Sequence, residues 1–505
     1  MKAGLIFVLT WTCAHGLVVS KRPLGGGLMG STAPPQKMSR LQAEAQESTS
    51  CWWQEDADAI ALVAGNMIGG GILAIPTVSA CAGFLPSTAL LSLLWVCNVA
   101  TGLCLAEAAG AAVRRGETDV SLRALSSDAL GEEAAGATGV MFAVTNAALL
   151  AAYMAQGGDS LLSLATAGFG TALTVFHESG GGGAAVASEA ASTSFAVTMC
   201  FRLAYGACAA SLLALPEHKV DKFNTALVGF MSVVFALLLA SWLPFVDAGN
   251  LLSLEPNTCL SCDTNVMSAL GSAAPVLVSA LVFQNVVPSV AKRFEGDDER
   301  TRRSLVAGSA VPLVCYVLFN AAVLGRLGPD ALVPAAGQSL VDASAGLPAD
   351  VAALTGAALQ LFALAAVTTS FVGAAVSQLK ELEPLFQRPD EVASSSASDD
   401  DAGFTLDSGA FLTLCAALVP PVFVALSGPD IFVPALALSG SIANPLLFGV
   451  LPPLLAWHAR YRSEHTAELT PQLPGGKISL AGLSLAASTV VVNAAAASAQ
   501  GFLGA

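Results

Sequence analysis

Between Ala59 and Pro76 the chain reads Ala-Ile-Ala-Leu-Val-Ala-Gly-Asn-Met-Ile-Gly-Gly-Gly-Ile-Leu-Ala-Ile-Pro, apolar enough for a bilayer yet with Gly65, Gly69, Gly70 and Gly71 at its centre. Lipid offers backbone groups no water, so a spanning segment stays helical unless its irregular backbone is buried in protein or lines a cavity. Four glycines remove the side-chain bulk that keeps the backbone helical, which predicts an unwound stretch aiming bare N–H and C=O groups at a polar partner. Discontinuous helices of this kind mark transporter binding sites. The same glycines also suit a small-residue seam between ordinary helices, although a seam accounts for Gly65 and Gly69 and not for the adjacent triplet.

The rest of the chain supports a membrane setting. Of its 505 residues 54% are hydrophobic and 12% charged, with a mean hydropathy of +0.67, a composition of polytopic membrane proteins. From Asp56 onward eleven apolar segments follow, at roughly 57–80, 84–112, 136–166, 194–215, 224–246, 266–291, 304–326, 349–379, 408–427, 430–457 and 478–500. Each is close to the about 20 residues that a span needs. The intervening loops divide by charge: fifteen Lys and Arg fall on one side, from Arg114, Arg115 and Arg123 through Lys292–Arg303 to Arg460, Arg462 and Lys477, against Arg326 alone on the other. Such asymmetry makes the basic side, which includes residues 44–56, the cytoplasmic or stromal face, with the C-terminus opposite. The net charge of −15 says little about partners, since what matters is where the Lys and Arg fall.

Ahead of the first span, Met1-Lys2 and the apolar run Ala3–Ala14 have the layout of a secretory signal, too short to span. Residues 1–43 hold no Asp or Glu but include Lys2, Lys21, Arg22, Lys37 and Arg40 among Ser, Thr, Gly and Pro. That pattern is similar to a bipartite plastid leader, and equally to a plain signal peptide followed by a disordered tail. The expected organisation is a targeting segment at 1–43 and a transmembrane domain at 44–505, placed in a plastid envelope or otherwise in the plasma membrane or endomembranes.

At Gly65-Asn66-Met67-Ile68-Gly69-Gly70-Gly71-Ile72-Leu73-Ala74-Ile75-Pro76 and Ala82-Gly83-Phe84-Leu85-Pro86 the chain resembles bacterial tyrosine and tryptophan permeases and their plant and algal relatives, the hydroxy/aromatic amino acid permease family. The likeness continues in order at Ala151-Ala152-Tyr153 with Gly157-Gly158, at Phe283-Gln284-Asn285-Val286-Val287-Pro288-Ser289, at Gly308-Ser309-Ala310-Val311-Pro312-Leu313 and at Thr369-Ser370-Phe371-Val372-Gly373, so that it spans residues 57–457. The resemblance implies the fold of the amino acid/polyamine/organocation superfamily: an all-α membrane protein of eleven transmembrane helices, in two inverted five-helix repeats with broken helices 1 and 6, plus one extra helix. It also implies secondary active transport of amino acids, aromatic ones first, coupled to H+ or alternatively to Na+.

The residues themselves agree with that repeat. Segment 6, the counterpart of segment 1, carries Pro275 and Pro288 around the polar pair Gln284-Asn285, and interrupted segments in matching positions of two halves point to a site between them. A zwitterionic amino acid suits such a site, its carboxylate at free N–H groups of a half-helix and its ammonium at exposed carbonyls. The expected substrate-binding residues are therefore Asn66, Met67, Ile68, Gly69, Gly70, Gly71, Tyr153, Phe283, Gln284 and Asn285. Gln284-Asn285 also reads as a polar contact between helices, and Tyr153 as either lining or packing.

For ion coupling the expected residues are Glu107, Thr369 and Ser370. Glu107 lies seven residues before Arg114, roughly 10 Å inside the basic face, where an ionisable group serves either a proton relay or as a partner holding the loops of that face. The Thr369 and Ser370 hydroxyls suit a hard cation beside carbonyls of segment 1, or bond back to their own helix. Bacterial members often have His where this chain has Gln284, which removes a titratable group from the proton path. Arg202, within segment 4, reads as a side chain that snorkels to the far interface.

Other functions find little footing. No phosphate-binding loop is present, and the five histidines sit in the leader, loops or segment ends, against an ATP-driven pump or an intramembrane hydrolase. Most of the eleven cysteines behave as small apolar residues. Cys259 and Cys262 read as a disulfide or as half a metal site, with neither a second pair nor a nearby His to complete one. No enzyme activity, cofactor, metal or nucleic-acid partner is expected; the partners are the amino acid, the coupling ion and the lipid bilayer. A channel would need a repeated pore segment and a sensor an appended soluble domain. The stretches Gly180–Gly183 and Ser394–Ala402 are too flexible or polar to pack.

Overall fold

A computed structural model describes residues 56–117, 119–169, 184–213, 215, 217–252, 265–327, 349–386, 408–428, 431–462 and 471–503, and among these no strand occurs. The targeting segment at 1–43, the Cys259–Cys262 pair and the stretches at 180–183 and 394–402 lie outside the described residues.

The first apolar segment is two helices, α1 (Asp56–Met67) and α2 (Gly71–Ser79), meeting at a bend of 51°. There follow α3 (Phe84–Arg114), an amphipathic α4 (Leu122–Leu130) and α5 (Glu132–Phe169). Next come α6 (Ala184–Leu212) and α7 (Glu217–Trp242). The sixth segment is also divided, into α8 (Val266–Ala280) and α9 (Val287–Arg293). Then α10 (Asp298–Leu327), α11 (Ala349–Phe386) and α12 (Ser408–Ala425) lead to α13 (Phe432–Tyr461) and α14 (Gly476–Leu503). Breaks at the first and sixth segments are the architecture expected of two inverted repeats, and the chain is a multi-pass membrane protein.

Among the described residues eight stretches have the length and composition of a span, α8–α9 counting as one, and the bent pair α1–α2 makes a ninth. The apolar parts of segments 9 and 11, Gly409–Ala425 and Gly476–Val492, are shorter. Helix α4 is an addition to the expected layout. Ser121 caps it by accepting the Ala124 amide at 3.2 Å, and Gly131, at φ 92°, ends it in a backbone region that L side chains rarely adopt.

The helices sort into two groups. Helix α3 packs on α9, α10 and α8, and α2 packs on α8, so segments 1, 2, 6 and 7 associate. Helix α5 packs on α11, α6 and α12, which joins segments 3, 4, 8 and 9, while α7 leans on α11 and α10. Between the groups, a cluster of Phe235, Trp242, Phe319 and Phe362 brings rings of α7, α10 and α11 to centroid spacings of 5.5–6.1 Å. Aromatic burial of this kind supplies packing area, although the Trp242 Nε1–H is buried among the rings without a hydrogen-bond partner among the described residues. Helix α13 is π-helical over Ser439–Ala443 and Pro445–Val450, and there the absence of a side chain at Gly440 lets its backbone lie against the Pro275 carbonyl of α8.

Candidate functional site

At the first break the amide of Ile68 still reaches Ala64 O at 2.9 Å, the last regular bond of α1. Beyond it the pattern tightens to i−3 bonds, Ile72 N–H to Gly69 O at 3.3 Å and Leu73 N–H to Gly70 O at 3.1 Å. The Gly70 amide leaves the helix altogether and donates to Ser370 Oγ of α11 at 3.2 Å. Gly70 is right-handed, at φ −54° and ψ −26°, and none of Gly69, Gly70 or Gly71 has positive φ. The triplet is therefore there for close approach rather than for unusual backbone angles. An added Cβ would lie 1.9 Å from Ser370 Oγ at Gly69, 2.8 Å from the Tyr153 ring at Gly70 and 2.9 Å from the Ala280 Cβ at Gly71. At Gly65 no described atom stands within 4 Å, against the packing seam that the sequence also allowed there.

The second break begins after Ala280. Pro288 restarts the chain as α9, where a missing N–H costs nothing in the first turn of a helix. Asn66 reaches across from α1, donating to Val282 O at 3.3 Å and to Asn285 Oδ1 at 2.9 Å. Asn285 returns a bond to Asn66 Oδ1 at 3.1 Å. Asn66 is half-buried and Asn285 exposed, so the amide pair keeps an accessible side. The Tyr316 hydroxyl of α10 donates to the carbonyls of Met67 and Ala280, the last residues of α1 and α8.

Phe283 and Gln284 turn the other way. Phe283 is fully buried and lies where a Cβ on Gly102 of α3 would come within 2.7 Å of its ring. Gln284, also fully buried, accepts the Phe283 amide at 3.0 Å and donates to Asn98 Oδ1 at 2.9 Å and Thr101 Oγ1 at 3.2 Å. Its carboxamide thus pins the unwound stretch to α3, the polar interhelix contact that the sequence also allowed. Met67 and Ile68 have buried side chains and bring backbone to the break.

Tyr153 of α5 lies beside Gly70 and Ser370. Ser370 thus stands between the two helix groups, touching α2 and α5. Thr369 bonds back to Ala366 O at 2.9 Å, and Ser370 Oγ accepts an N–H rather than facing a carbonyl. Among the described residues no group of three or more His, Cys, Asp or Glu is placed to hold a metal ion.

Glu107 sits elsewhere, at the basic face. It is fully buried and forms a two-pronged pair with Arg460 of α13, Nε to Oε1 and Nη2 to Oε2 both at 2.6 Å. The Gln472 amide donates to the same carboxylate at 3.2 Å. Gln472 Nε2 continues to Asp298 at 3.1 Å, and Arg114 joins Asp298 at 3.0 Å. Nearby, Asp56 and Asp58 of α1 pair with Arg300 and Arg293, each at 2.7 Å. Both carboxylate oxygens of Glu107 thus accept hydrogen bonds, Oε1 from Arg460 and Oε2 from Arg460 and the Gln472 amide.

Arg202 does not snorkel. It is 1% exposed, chelates Asp159 of α5 at 2.9 and 2.8 Å and caps the carbonyls of Ala425 and Gly428 at the end of α12. Gly157 and Gly158 permit this, because a Cβ at Gly158 would meet Arg202 backbone within 2.5 Å and one at Gly157 the Tyr205 ring at 2.4 Å. The Ala-Ala-Tyr…Gly-Gly motif therefore combines a site residue with a helix seam. Of the expected residues, the structure brings Asn66 to Asn285 and, in a second set of contacts, Gly69 and Gly70 to Ser370 and Tyr153. Reading the sequence missed Tyr316, Arg460 and Asp159. The only signal was a polar group inside an apolar run, or at its edge, with no partner nearby in sequence.

A membrane bundle in which α1–α2 and α8–α9 break side by side, joined by Asn66 and Asn285, has the architecture of an inverted-repeat transporter fold. The chain belongs to the tryptophan/tyrosine permease family, whose profile matches residues 54–494. It is 28% identical over 425 residues to tyrosine-specific transport system 1 of Haemophilus influenzae, across 83% of this chain and 91% of that one. To the tryptophan-specific transport protein of the same organism it is 28% identical over 406 residues, 79% and 87% of the two chains. Among solved structures, MhsT in complex with L-phenylalanine superposes with a TM-score of 0.57 over 86% of this chain and 97% of that one, at 14% identity, a likeness of fold.

Proposed function

We propose that this protein is a secondary active transporter of aromatic amino acids, tyrosine and tryptophan before others, working by alternating access around the two breaks. The observation that carries the reading is the meeting of α1–α2 and α8–α9 at Asn66 and Asn285, with Gly70, four residues after Asn66, against Ser370 and Tyr153. The names of the bacterial relatives supply the cargo. The start of α2 offers the substrate carboxylate the positive end of a half-helix, and carbonyls at the ends of α1 and α8 offer the ammonium the negative ends. Segments 1, 2, 6 and 7 move against segments 3, 4, 8 and 9, with Ser370 and Tyr153 on the stationary side of the pocket.

Coupling is to protons. Thr369 and Ser370 engage protein groups rather than forming a cation cage, and in this reading Glu107 holds the basic face closed and carries no proton. Counterflow of labelled amino acids in proteoliposomes tests the whole. Tyrosine and tryptophan should exchange without sodium and accumulate under an inward proton gradient. Uptake confined to other amino acids overturns the cargo, a sodium requirement overturns the coupling, and binding without counterflow indicates a sensor.

A further inference from the structure

We propose that Tyr316 is a positioning residue, which holds the two helix breaks at their working separation through a single hydroxyl. The inference rests on the transport reading above and adds a residue to it. Met67 closes α1 and Ala280 closes α8, so each carbonyl belongs to a helix C-terminus, where the last carbonyls lack intrahelical donors and the dipole is negative. Two such ends side by side repel. They are held close together, since both carbonyls lie within hydrogen-bonding reach of one hydroxyl. The Tyr316 hydroxyl lies between the two ends and donates to both carbonyls, that of Ala280 at 2.9 Å.

Burial alone does not call for this hydroxyl. Tyr316 and Phe319 lie three residues apart on α10 and are both 0% exposed, yet Phe319 packs among Phe235, Phe362 and Trp242 with no polar atom at all. A phenol hydroxyl in such surroundings costs free energy unless it is bonded, so its place is set by the carbonyls it serves. One donor shared by two acceptors also means that neither helix end shifts without loosening its bond to the other. Helix α10 packs on α3 and α2, within the same helix group as both breaks. The breaks would therefore travel together, and the pocket would keep its dimensions as the groups rock.

Tyr316→Phe removes one oxygen and keeps the ring. In purified protein it should weaken binding of L-tyrosine or L-tryptophan about tenfold, as expected for a lost buried hydrogen bond, with little change in the melting temperature without substrate. A second measurement needs no substrate: cysteines at Asn66→Cys and Asn285→Cys should form a disulfide under mild oxidant severalfold more slowly when Tyr316→Phe is present, relative to chains without the added pair. Tyr316→4-aminophenylalanine, which supplies two N–H donors, should restore both readouts. Unchanged affinity together with unchanged cross-linking overturns the proposal, and so does lost stability at unchanged affinity. If Tyr316→Phe fails to fold, the 4-aminophenylalanine protein decides: normal binding supports the role and weak binding by a folded protein overturns it. Should the parent chain bind no amino acid, the cargo reading falls, while the cross-linking rates still decide on Tyr316.

Discussion

Asn66 and Asn285, 219 residues apart in sequence, exchange hydrogen bonds of 2.9 and 3.1 Å between their carboxamides. Each comes from one of the two broken segments, and the pair is the direct side-chain link between them. Carboxamides suit the position because each both donates and accepts, so two of them satisfy one another without a charge.

Removing either partner breaks both bonds of the pair. Asn66→Ala or Asn285→Ala should each weaken substrate affinity by about 1–2 kcal/mol, whereas Asn66→Ala with Asn285→Ala should cost less than the sum. A double-mutant cycle on substrate Kd checks it. Strict additivity would mean that the two amides act independently.

The glycines separate in the same assay. With open space around Gly65, Gly65→Ala should leave binding intact and raise stability by about 0.5–1 kcal/mol, the ordinary gain of alanine over glycine in a helix. Gly70→Val forces methyl groups into Tyr153 and Val367 and should eliminate binding. The telling result is a protein that stays monodisperse and thermally intact but gains no stability from substrate, since a ligand stabilises only the state that binds it. Near-normal affinity in Gly70→Val would remove the glycine triplet from the site.

At the basic face, Glu107→Gln leaves the buried Arg460 guanidinium without its counter-charge. Loss of one partner of a buried pair costs about 3–5 kcal/mol, and replacing both partners by apolar groups costs less. Thermal unfolding of Glu107→Gln, Arg460→Met and the combined Glu107→Leu/Arg460→Met protein should therefore follow that order, with the double variant more stable than the first. A fully stable Glu107→Gln that keeps exchange but loses proton-driven accumulation would instead make Glu107 the proton carrier.

For the leader, a fluorescent reporter fused behind residues 1–43 should be delivered to a plastid, as the acid-free, basic composition of that stretch predicts. Retention in the endoplasmic reticulum or passage to the plasma membrane would defeat the plastid assignment and leave the transporter reading untouched.

The membrane fold and the location of both breaks were legible in the chain itself. Hydropathy and charge asymmetry are properties of consecutive residues, and the interruption at Gly69–Gly71 and the Pro275…Pro288 pair mark their own segments. The sequence also singled out Asn66, Tyr153 and Asn285 for the substrate site and Ser370 for ion coupling. What it could not determine was direction and partnership. Whether Gln284 faces the pocket or α3, whether Glu107 is free or held by Arg460 and whether Arg202 reaches the interface or Asp159 depends on which helices lie alongside, hundreds of residues away. The glycine triplet makes the same point: the sequence suggested unusual backbone angles, and only the approach of Ser370, Tyr153 and Ala280 revealed that the requirement is space. Hydrophobic periodicity decides that a segment enters the membrane, but burial of a polar group is tolerated only with a partner, and that partner is chosen by tertiary packing.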